Sequence, residues 1–161
     1  MIRLTQILVP TDFSDLSAAA MDYGRALAWT FGASLHLLHV VENPFLRPMA
    51  ADPHSYKTAT VKRLFERLTD DDRAALHAIA VLETSDNPAE TIVTYAKAHG
   101  IDLIVMGTHG RGAMARLLMG SVAEKVVRSA PCPVLTVRHP EHEFVLPDAV
   151  ETTANMTMGG L

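Results

Sequence analysis

The densest run of unusual backbone chemistry lies at residues 106–121, MGTHGRGAMARLLMGS, where Gly107, Gly110, Gly112 and Gly120 fall within 14 positions. Glycine admits backbone angles closed to other residues and lets a ligand approach the main chain. The segment follows the apolar run IDLIVM at 101–106, which reads as a strand, and Gly120-Ser121 opens a stretch of helical spacing. In open α/β sheets, ligands sit outside the carboxyl ends of the strands, near the point where strand order reverses. The first amides of a helix lack intrahelical acceptors and, with the helix dipole, favour an anion. Ser121 adds a hydroxyl. The pattern therefore offers phosphate binding. The competing reading is that the glycines only make turns and Ser121 only caps its helix. His109 and Arg111 flank Gly110, and an arginine forks well onto phosphate oxygens; Arg111 and Arg116 read equally as solvated loop residues. There is no GxxxxGK[ST], and no GxGxxG between the first strand and the first helix, which disfavours a P-loop NTPase or a dinucleotide-binding dehydrogenase.

Asp12 follows a strand end at Pro10-Thr11. It reads as a turn-forming residue and as an acceptor for ligand hydroxyl or amine groups, two roles that are compatible. No second carboxylate converges with it to suggest a metal site. His36 and His39 are an odd number of positions apart in a strand, so they point to opposite faces and do not share a metal. Cys132 lies between Pro131 and Pro133, without a CxxC, and reads as a buried or half-buried structural thiol. Asp70-Asp71-Asp72 reads as a solvated helix end or loop.

These residues need elements to position them. Ile7-Leu8-Val9 is a short buried strand stopped by Pro10. Residues 14–30 have helical spacing, with Leu16, Ala20, Tyr23 and Leu27 on one face, Ser14 as N-cap and Gly32 as stop. Residues 34–41, SLHLLHVV, form a second strand, and residues 42–55, with Pro44, Pro48 and Pro53, a loop. Residues 56–69 return to helical period with Val61, Leu64, Phe65 and Leu68 inward. A third strand is expected at 76–82. Asn87, Pro88 and Glu90 then make a capping box for a helix that faces the sheet with Ile92, Val93 and Ala96 and ends at Gly100. After the glycine segment, Ser121 and Glu124 read as a second capping box, with Val122, Val126, Val127 and Ala130 inward. A last strand is expected at 132–137. Strands without strict alternation, separated by helices, imply a parallel sheet covered on both faces.

The chain has 161 residues, about the size of one domain. Hydrophobic residues are 48% and charged residues 20%, which excludes global disorder. With 14 Lys+Arg against 18 Asp+Glu the net charge is -4, so broad nucleic-acid binding by phosphate neutralisation is disfavoured. The single Cys excludes an intrachain disulfide. No apolar run reaches about 18 residues, and no signal-peptide core follows Met1, so a cytoplasmic protein without membrane attachment is expected.

G107-x2-G110-x9-G120-S121 resembles the ATP-binding pattern of the universal stress protein family. ILVPTDFS at 7–14, NPAETIV at 87–93, DLIVMGTHGRG at 102–112 and GSVAEKVVRSAPCPVLTV at 120–137 extend the resemblance over about residues 3–139. It implies an α/β fold with a single open five-stranded parallel sheet, order 3-2-1-4-5, with helices on both faces, in a domain spanning residues 1–139. Residues 140–161 would be a partly disordered tail. The resemblance further implies that ATP lies over the carboxyl ends of strands 1 and 4, with Mg2+ or Mn2+ held mainly by its phosphates. Asp12, beside Pro10 and Thr11, would meet the nucleoside, and the backbone near Val40 or Val41 the adenine. Gly107, Gly110, Gly120 and Ser121 would surround ribose and phosphates, with Met106, His109, Met119 and Val122 lining the groove and Arg111 beside it. Asp86 or Asn87 stands where many members have Gly, a departure that turn geometry tolerates. Family members commonly dimerise through the last strand, here at 133–137, whose apolar edge would otherwise stay open. The implied function is a regulatory or protective ATP-binding stress protein. The alternatives are a slow ATP hydrolase and an interaction module that works without nucleotide.

Overall fold

The computed structural model describes residues 1–43, 53–108 and 119–138. Within them lie β1 (Gln6–Pro10), α1 (Asp15–Phe31), β2 (Ser34–Val41), α2 (Pro53–Glu66), α3 (Asp70–Ala75), β3 (Ile79–Thr84), α4 (Pro88–Ala98), β4 (Leu103–Gly107), α5 (Ser121–Ser129) and β5 (Val134–Val137). The strands form one parallel sheet in the order β3-β2-β1-β4-β5. The expected residues 44–52, 109–118 and 139–161, including His109, Gly110, Arg111, Arg116 and the tail, lie outside the described residues.

Successive strand side chains leave opposite faces of a sheet, and the two cores follow from this. Ile7, Val9, Leu35, Leu37 and Val105 pack under α1 and α2 with Ala20, Ala28, Leu64 and Leu68. Leu8, Leu38, Ile104 and Met106 pack under α4 and α5 with Ile92, Ala96, Ala123 and Val126. Gly24 lets α1 approach β1, because a Cβ there would collide with Cγ2 of Val9. The Ser14 hydroxyl accepts the Ser17 N–H at 3.2 Å and starts α1, and left-handed Gly32 (φ 64°) ends it. Among the described residues no helix is long and apolar enough to cross a membrane.

Several local readings are corrected. The Thr69 hydroxyl accepts from the Asp72 N–H, and the Asp72 carboxylate accepts from the Thr69 N–H, so 70–75 form a helix of their own, where a helix end or a loop is expected. Leu76 becomes its C-cap, and β3 starts only at Ile79. Asp72 is not solvated: its side chain is 1% exposed and takes two hydrogen bonds from Arg25 of α1, at 2.8 and 3.0 Å. Phe65 and Val127, expected inward, are exposed.

His36 and His39 do leave β2 on opposite faces. His36 is buried under α4, where Nδ1 lies 2.8 Å from the Tyr95 hydroxyl and Nε2 2.8 Å from Gln6 Oε1. Tyr95 stacks on His99, with ring centroids 3.9 Å apart. Burial, and secondarily the neighbouring His99, hold the His36 pKa below its usual 6.5. The unfolded chain therefore binds more protons below that pH. The His36 contribution to stability is complete above pH 6.5 and is lost as pH falls, at no more than about 1.4 kcal/mol per pH unit. Urea titrations between pH 7.5 and about pH 5 check this; the slope should flatten in His36→Gln, and an equal slope in that variant would assign it to other groups.

Candidate functional site

The strand order reverses between β1 and β4, because the chain moves outward from β1 to β2 and from β4 to β5 in opposite directions. Such a switch point opens a crevice at the carboxyl ends of the strands. Here β1 and β4 share only the pairs Ile7↔Leu103 and Leu8↔Ile104, whereas β1 pairs with β2 through five residues up to Pro10↔Leu38. Past those pairs stand Pro10, Thr11 and Asp12 on one side and Met106 and Gly107 on the other.

The β1–α1 turn is built by side chains. Thr11 N–H donates to the Leu38 carbonyl at 2.8 Å, and Thr11 Oγ1 accepts from the Phe13 N–H at 3.1 Å and lies 3.0 Å from Ser17 Oγ. The Thr11 hydroxyl is thus engaged within the turn. Oδ1 of Asp12 accepts from the Ser14 N–H at 3.0 Å and from the Ser14 hydroxyl at 2.5 Å. Asp12 is therefore a turn former as well as a ligand candidate.

β2 runs three residues beyond its last pair with β1. Leu38 turns its carbonyl to Thr11 of the β1 side, and Val41 turns its carbonyl to Ser85 of the β3 side at 2.9 Å. By strand alternation Val40 directs its N–H and C=O to the β1 side, past the end of β1. Of the two expected adenine contacts, Val40 has the suitable backbone orientation.

On the far side, Thr108 joins the ends of the glycine segment. Its N–H donates to the Val137 carbonyl at 2.8 Å, and its carbonyl accepts the Gly120 N–H at 2.6 Å. Nothing in its type marked Thr108 in the sequence; its place beside Gly107 was the available signal. The Gly120 contact sets the start of α5 beside the end of β4. Gly120, not Ser121, is the N-cap, and it supplies no side-chain hydrogen bond. The expected capping box is absent: Ser121 is the first helical residue, and Glu124 pairs with Arg128 at 2.9 Å instead. Among the described residues no side chain caps the opening amides of α5. Met106, Met119, Val122 and Val40 pack on one apolar cluster, which brings β2, β4 and α5 together at this end of the sheet.

Gly120 has φ -75° and ψ 159°, which any residue adopts. Backbone freedom is therefore not what glycine supplies here. Burial pushes the half-buried Cys132 thiol up, which keeps it protonated and inert. Among the described residues no three His, Cys, Asp or Glu side chains are grouped to hold a metal ion. A cavity of about 420 Å³ between β3 and α4 shares no lining residue with the crevice.

The sequence profile described as the universal stress protein family matches residues 4–138. The chain belongs to the universal stress protein family. It is 34% identical over 146 residues to a universal stress protein of Methanocaldococcus jannaschii, covering 86% of this chain and 84% of the relative. It is 37% identical over 138 residues to one of Thermus aquaticus, covering 82% of this chain and 97% of the relative. Among solved structures, universal stress protein UspA from Lactobacillus plantarum is similar at 30% identity and TM-score 0.67, covering 86% of this chain and all of that one, 100%. In this universal stress protein, then, Pro10, Thr11, Asp12, Val40, Val41, Met106, Gly107, Met119, Gly120, Ser121 and Val122 lie at the carboxyl end of the sheet or at the start of α5, and Ser121 is exposed.

Proposed function

We propose that this universal stress protein binds ATP, with Mg2+ or Mn2+ held mainly by the triphosphate, and acts in the stress response as a regulatory or protective protein. The observation that carries the reading is the start of α5: amides without a side-chain cap, preceded by a glycine and held against the end of β4 at the switch point. A triphosphate is the kind of anion such a start accommodates. Asp12 would meet the nucleoside, Val40 the adenine edge, and Gly107, Gly110, Gly120 and Ser121 the ribose and phosphates. The side chains at the start of the helix fit the group: Gly120 and Ser121 are small, and Glu124 in the first turn is paired with Arg128. Two solved proteins of this fold carry adenine nucleotides: a universal stress protein in complex with cAMP and one from Archaeoglobus fulgidus in complex with dAMP. At 24% and 19% identity they speak for the capacity of the fold.

Main-chain recognition near Val40 reads the adenine edge, so ATP is expected to bind in preference to GTP. Calorimetry with each magnesium nucleotide tests this. Equal affinities, or no heat with either, would sink the reading. Denaturing the purified protein and weighing any released nucleotide gives an independent answer.

A homodimer through β5 belongs to the same proposal. β5 is an edge strand, and Leu135 at 38% exposure lies on the α1 face, level with Val105. Covering apolar area is worth about 25 cal/mol per Å², and a partner would also close the open edge. Sedimentation should give a mass near twice 17.5 kDa, shifted toward the monomer by Leu135→Asp. A wild type that sediments as a monomer at tens of micromolar would end the dimer proposal.

A further inference from the structure

Phe13 has φ 65°, inside the left-handed region that bulky residues avoid. Strain of this kind persists where the surroundings hold it, and it concentrates at ligand-binding turns. Here the surroundings are specific. The guanidinium carbon of Arg63, from α2, lies 4.4 Å from the centre of the Phe13 ring. The His39 ring, from β2, has its centroid 4.4 Å away, inclined by 45°. His39 is itself fixed, with Nδ1 2.6 Å from the Thr11 carbonyl, to which its N–H donates. Phe13 is buried between these groups, while Arg63 is exposed. Among the described residues Arg63 enters no ion pair with a carboxylate, and the Phe13 ring is the contact its guanidinium makes there.

Phe13 follows Asp12 directly, and its N–H closes onto Thr11 Oγ1. The ring's seat and the direction of the Asp12 carboxylate are therefore set by one short turn. A cation held over an aromatic face is attracted by the ring quadrupole. We propose that Arg63 is a positioning residue for the nucleotide site, seating Phe13 so that the turn presents Asp12 to the ligand. This rests on the nucleotide reading above and adds a regulatory consequence. Coupling between sites is reciprocal, so a nucleotide engaged at Asp12 steadies α2. The position of α2, on the surface beside β3, then reports whether the pocket is filled.

The test compares wild type, Arg63→Ala and Arg63→Lys. Two readouts are taken: magnesium-ATP affinity by calorimetry, and amide hydrogen exchange at Phe13 and Ser14 in nucleotide-free protein. In Arg63→Ala the affinity should fall about two- to fivefold, the span expected of an exposed cation–π contact. Exchange at Phe13 and Ser14 should accelerate while Leu8 and Val9 of β1 keep wild-type protection. Arg63→Lys keeps a cation over the ring and should recover most of both. Wild-type affinity and exchange in Arg63→Ala would overturn the positioning role. So would a loss that Arg63→Lys shares in full, or one that spreads to Leu8 and Val9, since that is general destabilisation. A wild type that binds no ATP would instead overturn the nucleotide reading and take the ligand half of this proposal with it; the exchange result in nucleotide-free protein separates the two failures.

Discussion

Asp72→Ala lowers the unfolding free energy by about 3–5 kcal/mol, the usual cost of removing one partner of a buried ion pair. The Arg25 guanidinium grips both oxygens of Asp72, through Nε at 2.8 Å and Nη2 at 3.0 Å, and also reaches Asp22 at 3.0 Å. Without Asp72 the guanidinium keeps Asp22 but loses its buried partner. Helix α3 simultaneously loses the carboxylate that accepts the Thr69 N–H. Against a typical total of about 5–15 kcal/mol this is a large share. Burial alone would raise the Asp72 pKa, but hydrogen bonds from Arg25 and Thr69 outweigh it and hold the group below its usual 3.8. A carboxyl depressed in the folded state stabilises fully above the unfolded value and loses that contribution as pH falls through the folded one. Acid unfolding should therefore draw on Asp72 below about pH 4, well below the range in which His36 acts. Urea denaturation at neutral pH checks the main effect, and a loss under about 1 kcal/mol would mean that the pair is dispensable.

Gly120→Val is expected to weaken ATP binding at least about tenfold, or 1.4 kcal/mol, while the circular dichroism spectrum stays native. The two halves have separate causes. The backbone at position 120 is extended and accepts valine without strain, and its N–H can still reach the Thr108 carbonyl. The isopropyl group, however, would stand at the start of α5, in the space assigned to phosphate. Gly120→Ala should lie between the two. Calorimetry that returns wild-type affinity for the valine variant would move the phosphates away from α5, and a collapsed spectrum would show that Gly120 is structural after all.

Features that depend on a few neighbouring residues were legible in the sequence. β2 runs over residues 34–41 as its apolar run indicates, Ser14 caps α1, Asn87 caps α4, and Gly32 and Gly100 take left-handed angles after their helices. Hydrophobic spacing also implied a parallel sheet clad on both faces, because strands buried on two sides carry continuous apolar runs. Strand order came with the family resemblance rather than from spacing. The placement of Pro10–Asp12 and Met106–Gly107 at one end of the sheet follows from that order together with the strand ends.

What tertiary structure decided involves partners far apart in the chain. Asp72 reads as one of three solvated carboxylates until Arg25, 47 residues earlier, is brought beside it. Asp102 reads as part of the apolar strand 101–106, yet β4 begins only at Leu103, and the Asp102 carboxylate accepts from the Thr5 N–H and hydroxyl and from the Gln6 N–H; those bonds, Thr5 foremost, hold its pKa down. Ser121 and Glu124 have the spacing of a capping box, but Thr108 holds Gly120 at 2.6 Å and the helix begins one residue earlier than a serine cap requires. Phe13 carries no local signal for a left-handed backbone; β2 and α2 supply the ring contacts that hold it there. Local spacing encodes which face a residue takes on its own element. It does not encode which distant donor or ring will meet that face, because that depends on how the elements pack.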